Sequence, residues 1–205
     1  MERKHTIGAE LEIELRDRNG RLIKKERYES RSFVKQFIDM LYALMYAMRV
    51  EDTVLQVRDK DGTLQDYPAL TSTTNDILRA RNTVSTEPYV YSYGIVVGSD
   101  DSPVEYDDYK LGNQILHGTG SGELSYQTCD VEAPYLDGSE YKFRISRAFV
   151  NNSGASITVK EVGIYVSHQG SNKFYMILRD VLPSPTSIPD GATFTVRYYI
   201  KVSVP

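Results

Sequence analysis

The residues Thr193 to Pro205 read TFTVRYYIKVSVP, with an apolar side chain at nearly every second position. Successive side chains of an extended chain point to opposite faces. Phe194, Val196, Tyr198, Ile200, Val202 and Val204 therefore share one face, and Thr195, Arg197, Tyr199, Lys201 and Ser203 share the other. The same alternation runs back to Tyr141, through Phe143, Ile145 and Phe149 and then Ile157 and Val159, in runs closed by Gly, Pro, Asn or Ser. That pattern predicts an antiparallel sheet with one buried face. The period of two holds through Glu161 and then passes to Val162, Ile164 and Val166, which predicts a β-bulge near Glu161 and Val162.

If the pleat is continuous, Glu161 shares the inward face with Ile157 and Val159, and Arg147 shares it with Ile145 and Phe149. A hairpin folded about Asn151 to Ser156 would bring the two charges together as a partly buried Arg147–Glu161 ion pair, because a buried charge left unmatched is costly. The alternative places both at the rim of the sheet.

Near the amino terminus Leu11, Ile13 and Leu15 alternate with Glu10, Glu12 and Glu14, and Asn19-Gly20 follows before Leu22 and Ile23. Both turn residues tolerate positive φ, so this stretch predicts a β-hairpin. Ser30 or Ser32 then caps a helix predicted over Phe33 to Met48. Phe33, Phe37, Leu41, Leu44 and Met48 form its apolar stripe, Val34, Ile38 and Met45 widen it, and the back is scarcely polar. Such a helix is buried on more than one side, either between hairpin and sheet or at a subunit interface. In the second case Phe37, Leu41, Leu44, Met45 and Met48 are the contact residues.

The middle of the chain offers shorter signals. Val54, Leu55 and Val57 precede Asp61-Gly62 and predict a strand pair; the Asp59-Lys60-Asp61-Gly62 run lacks the third ligand and closing Glu of a calcium loop, and reads as a turn. Pro68 to Pro88 reads as an exposed connection with a short helical turn at Ile77 and Leu78. Tyr89 to Gly98 is a strand. The acidic run from Asp100 to Asp108 has enough carboxylates to gather a divalent ion, but reads first as a solvated loop. Gly118, Gly120 and Gly122 lack the Lys-Ser/Thr of a phosphate loop and suit a hairpin linker between strands. Leu124 to Cys129 supplies a further strand.

No chemistry-bearing constellation emerges. His5, His117 and His168 have no metal-ligand partners in sequence, Cys129 has no context that activates a thiol, and no Gly-x-Ser-x-Gly elbow occurs. Asn151-Asn152-Ser153 has the form of a glycosylation sequon and is read as a turn. The single cysteine excludes an intrachain disulfide, and 24 Lys and Arg against 28 Asp and Glu leave no basic excess for a nucleic-acid surface. No apolar run reaches the roughly 20 residues of a membrane span, and the first residues lack the apolar core of an export signal. Sixteen tyrosines and no tryptophan supply amphipathic rings suited to contact surfaces. No cofactor, metal, nucleic-acid or membrane partner is expected.

Tyr93-Gly94-Ile95-Val96-Val97-Gly98, Asp108-Tyr109-Lys110-Leu111, the run from Arg147 to Tyr165, Leu178-Arg179-Asp180 and Pro189-Asp190-Gly191 resemble virion structural proteins. These are head, neck and tail components of tailed bacteriophages and tailed archaeal viruses. The likeness extends from about Leu11 to Val204 and rests on turn and strand residues, not on reactive groups. It implies a β-sandwich-like subunit that assembles in many copies; with the residues read above, the expected fold is mainly β, an antiparallel β-sandwich of jelly-roll or immunoglobulin type with an N-terminal hairpin and one long apolar helix. Residues 1–50 would form the hairpin and helix and 51–205 the sandwich. It further implies a non-enzymatic virion component, assembled in the host cytoplasm, that binds copies of itself and other virion proteins. Its place is either as a capsid or vertex decoration or in the neck or tail. An alternative of another class is a carbohydrate-binding module, with Tyr91, Tyr93, Tyr106 and Tyr109 stacking on sugar rings.

Overall fold

The computed structural model describes residues 7–30, 32–46, 55–67, 78–82, 91–168 and 173–203, without the side chains of 44–46, 66, 67, 168 and 203. The fold is mainly β, with antiparallel sheets. The strands in chain order are β1 (Ile7–Arg16), β2 (Leu22–Ser30), β3 (Leu55–Arg58), β4 (Leu64–Tyr67), β5 (Gly94–Gly98) and β6 (Ser125–Val131), then β7 (Tyr135–Asp137), β8 (Glu140–Val150), β9 (Ile157–His168), β10 (Lys173–Ile188) and β11 (Thr193–Ser203). One helix among the described residues, α1, covers Lys35–Tyr46. The larger sheet runs β2-β1-β11-β8-β6 with β7 also on β8, the smaller runs β10-β9-β5, and β3 pairs with β4.

The N-terminal hairpin forms as its sequence dictates. Asp17 Oδ1 accepts from the amides of Asn19 and Arg21, each at 2.9 Å, and Gly20 supplies the positive φ of 79° that closes the turn. The hairpin is no appendage: β1 pairs along its whole length with β11, from Ile7 opposite Val202 to Arg16 opposite Thr193.

Alternation places Ala9, Leu11, Ile13 and Leu15 of β1, Ile145 and Phe149 of β8, and Phe194, Val196 and Tyr198 of β11 in the core. Across from them the smaller sheet contributes Ile95, Val97, Val162, Ile164 and Leu178 to the same hydrophobic cluster. The Tyr198 hydroxyl reaches Asp180 Oδ2 of β10 at 2.9 Å, tying one layer to the other.

The irregularity expected near Glu161 is present in the ladder with β10, which shifts register between Val181, opposite Glu161, and Thr186, opposite Val159. β9 keeps continuous register with β5, from Gly98 opposite Glu161 to Gly94 opposite Tyr165. From Glu161 to Val166 it is buried on both faces, so the alternation disappears because neither side meets water. The irregularities lie in β10, between Met176 and Leu178 and between Val181 and Thr186. The second spans Pro183 and Pro185, which have no amide to give a ladder.

The helix is shorter than its sequence suggests, twelve residues from Lys35 to Tyr46 rather than Phe33 to Met48. Phe33 bridges to Leu178, and the Val34 amide donates to Ile177 O at 3.2 Å, so β10 holds both residues extended. Packing against β10 and β3 buries Gln36, Met40 and Ala43, one side of the helix. Ile38, Leu41 and Tyr42 point outward and are exposed. Among the described residues the helix is thus covered on one side, by β10 and β3. Part of the expected connection between residues 68 and 88 is described: Ala80 and Asn82 are buried rather than exposed, while Ile77 lies outside the described residues.

Candidate functional site

Arg147 and Glu161 are both almost fully buried, yet they are not partners. β8 and β9 do not form a hairpin. The chain crosses from the larger sheet to the smaller one between them, at a turn where Asn151 Nδ2 donates to Ala155 O at 2.8 Å and Ile188 O at 2.7 Å. The expected ion pair is replaced by two separate networks.

Arg147 sits where the free edge of β5 meets β6 and β8. Its Nη1 donates to Tyr93 O at 2.9 Å and Ile95 O at 2.8 Å, its Nε to Gln127 O at 2.8 Å, and its Nη2 to Asn82 Oδ1 at 2.8 Å. Carbonyls on the open side of an edge strand need donors. Tyr93 O also receives Asn82 Nδ2 at 2.8 Å, and Val97 O receives the Ile115 amide at 2.9 Å, so the edge is sealed by a guanidinium, an amide side chain and one returning loop. Burial lowers the Arg147 pKa, while its guanidinium stands 5.0 Å over the Tyr126 ring.

Glu161 lies on the opposite face of the smaller sheet, under the loop from Ser99 to Ile115. It accepts from the amides of Asn113 at 2.9 Å, Gly112 at 3.0 Å and Asp100 at 3.4 Å, and from Arg179 Nε at 2.9 Å. Arg179 then spends Nη1 on Asp108 Oδ2 at 2.8 Å and Pro103 O at 3.2 Å. Its Nη2 goes to Ser102 O at 3.1 Å and Asp100 Oδ2 at 3.3 Å. The acidic loop does gather a cation, and the cation is a guanidinium from β10. Burial pulls the Arg179 pKa down, but the hydrogen-bonded carboxylates of Asp108 and Glu161 outweigh it and hold the group above its ordinary value.

Asp180, next in sequence, faces the core. Its Oδ2 accepts from Ser30 Oγ at 2.8 Å and the Tyr198 hydroxyl at 2.9 Å, and burial pushes its carboxyl above the ordinary range. Arg179, Asp180 and Asn82 carry much of the buried polar architecture and escape the sequence reading. The available signal was the adjacent Arg-Asp charge pair inside the apolar run from Phe174 to Leu182.

Other suspected chemistry dissolves into packing. Cys129 is buried, its sulfur accepts the Ile95 amide at 3.4 Å, and burial raises its pKa, the opposite of an activated thiol. His117 Nδ1 accepts the Tyr126 amide at 3.0 Å, and its ring stacks 3.5 Å from that of Tyr91; burial, helped by nearby Arg147, lowers its pKa. In the glycine-rich loop Glu123 Oε2 occupies the place an anion would take, accepting the Gly120 amide at 2.9 Å. No group of His, Cys, Asp and Glu suited to a metal ion occurs among the described residues. The four tyrosines considered for sugar stacking are dispersed. Tyr93 is buried against Phe174, Tyr91 is stacked on His117, and Tyr109 lies between Arg58 and Lys110, leaving Tyr106 widely exposed.

Two apolar surfaces are open. On the inward-facing side of the larger sheet, at the end beyond the core, Ile7, Val202, Tyr141 and Leu136 stand opposite one another across β1, β11, β8 and β7. They are 77%, 38%, 48% and 67% exposed. The second surface is the outward stripe Ile38, Leu41 and Tyr42 of α1. Of the expected interface residues, Leu41 belongs to that stripe and Phe37 is half-buried and stacked on Phe33, with ring centroids 4.5 Å apart. The side chains of Leu44 and Met45, and Met48 altogether, lie outside the described residues. Comparison of the chain with known protein families, with characterised proteins and with solved structures gives no match.

Proposed function

We propose that this chain is a β-sandwich structural subunit of a tailed-virus particle, acting by assembly with further copies of itself and with other virion proteins. The observation that carries the reading is the in-register row Ile7, Val202, Tyr141 and Leu136, an apolar strip that the chain's own core leaves open. Contiguous exposed apolar surface rimmed by polar residues is characteristic of surfaces that another protein covers. The open stripe on α1 supports the same reading. Buried charge is spent on holding loops and strand edges rather than on a cleft, which suits a rigid building unit. Capsid or vertex decoration and a neck or tail position are the two placements compatible with such a unit.

The test is the oligomeric state of the purified chain, by sedimentation velocity and electron microscopy over a wide concentration range. Wild type is expected to form defined assemblies. Tyr141→Glu and Val202→Glu, both on exposed positions, are expected to keep the fold and the melting transition while shifting the population to monomer. A wild-type protein that stays monomeric at every concentration, alone and with the other virion proteins, removes the reading.

A further inference from the structure

The outer face of the larger sheet is a lattice of ion pairs with one gap. Glu12 and Glu14 of β1 are matched by Arg27 and Lys25 of β2 and by Arg197 of β11, and Lys201 is matched by Glu10, Glu29 and Glu140. Further across, the residues become small. Ser146 stands between Arg197 and Asp130, and Thr195 stands opposite Ala148. The result is a depression of ≈ 360 Å³ walled by Arg144, Arg197 and Asp130.

The two arginines have donors left over. Arg197 uses Nη1 on Glu12 at 3.1 Å and Glu14 at 3.4 Å, and its Nε and Nη2 find no acceptor among the described residues. Arg144 uses Nη2 on Glu132 and lies beside the Tyr199 hydroxyl, while its Nε is buried with no hydrogen-bond partner among the described residues. Arg144 is opposite Tyr199 and Arg197 is opposite Ser146, so the guanidinium-bearing positions are diagonal neighbours on one face, about 7–8 Å apart at the backbone. A guanidinium donor withdrawn from water without an acceptor is costly, and two guanidiniums lining one depression with Ser146 and Thr195 suit an oxyanion.

Asp130 sets which oxyanion. Its carboxylate shares the depression and is held by Arg81 at 3.6 Å. A carboxylate repels an oxyanion that has only acceptors, but accepts a hydrogen bond from one that carries an O–H. We propose that the depression between β11, β8 and β6 is a binding site for hydrogen phosphate, with Arg144 and Arg197 as donors, Ser146 and Thr195 on the floor and Asp130 as the acceptor that disfavours sulfate. The group is either free phosphate or, in its singly protonated form, a phosphate that terminates a larger molecule.

Titration with inorganic phosphate, sulfate and glycerol phosphate at about 10 mM ionic strength, where screening is weak, followed by backbone amide NMR shifts, tests the site. Phosphate is expected to shift the amides of residues 144–148 and 195–197, and sulfate to bind at least about tenfold more weakly. Glycerol phosphate binding as well as inorganic phosphate identifies the terminal group of a larger molecule as the source; weaker binding identifies the free ion. Arg197→Gln and Arg144→Gln are each expected to weaken phosphate binding by about tenfold or more. Asp130→Asn, a conservative change on an exposed side chain, is expected to erase the preference over sulfate. Equal binding of sulfate and phosphate to wild type, an unchanged preference in Asp130→Asn, or no shift with any of the three anions overturns the proposal.

Discussion

Arg179 Nε and Glu161 Oε2 stand 2.9 Å apart with both side chains almost sealed from water, and the loop from Ser99 to Ile115 is folded around that contact. Each of the two also holds loop backbone. The pair therefore works as the peg on which an otherwise irregular acidic segment hangs.

Removing one member leaves the other as a buried charge with part of its shell intact. Arg179→Met is expected to destabilise the fold by about 3–5 kcal/mol, measured by urea unfolding. Arg179→Lys should recover little of this, because a single ammonium cannot reach the five acceptors that the guanidinium fork serves. A wild-type midpoint for Arg179→Met would show that the peg contributes nothing.

Arg147 and Glu161 share no partner in the two networks, so their effects should add. Arg147→Met and Glu161→Gln are each expected to be strongly destabilising, with a coupling energy in the double variant within about 0.5 kcal/mol of zero. A coupling of several kcal/mol would restore the direct ion pair that the strand order rules out.

How much of this was legible beforehand divides along a physical line. Period-two spacing identified several of the strands, the hairpin at Asn19-Gly20 and the burial of Arg147 and Glu161, because these are properties of neighbouring residues. What each buried charge touches depends on which strands lie side by side, and a chain crossing from one sheet to the other after Val150 has the same local sequence as a hairpin. Asn82 sits in a stretch with ordinary loop composition and becomes a seal only because Tyr93 and Cys129 arrive beside it. The helix starts later than its sequence predicts for a similar reason, since Phe33 and Val34 are held by β10.

Asp180 gives a pH dependence with a definite sign. Its carboxyl is raised above the ordinary value of 3.8 by burial, so the folded state holds the proton more tightly than the unfolded chain. Its contribution is fully present below the unfolded value and is lost as pH rises through the higher folded value. Glu12 and Glu14 are lowered, despite burial that raises them, by their arginine and lysine neighbours, and act in the opposite sense as pH falls. The difference in unfolding free energy between wild type and Asp180→Asn, followed by urea titration from acid to neutral pH, isolates the Asp180 contribution. Wild type should lose stability relative to the variant as pH rises. A flat difference would mean that the three hydroxyls of Ser30, Ser32 and Tyr198 fully offset the burial.

Cys129 should serve as a reporter of opening. Its thiol is buried and raised in pKa, so alkylation at mildly alkaline pH is expected to be negligible in the native protein and to follow global unfolding when urea is added. Mass spectrometry of timed samples measures this directly. Rapid labelling in buffer would show that the seam between β5 and β6 opens on its own.

Strand β11 lies between β1 and β8, although β1 comes first and β11 last in the chain order of the described strands. Until that late segment emerges, β1 and β2 have no link to β8 and β6, and the nascent chain carries two half-sheets with bare inner edges. Joining of the larger sheet thus waits on the synthesis of β11, and a partner or chaperone that shields β1 in the interval would control how many chains reach the finished state.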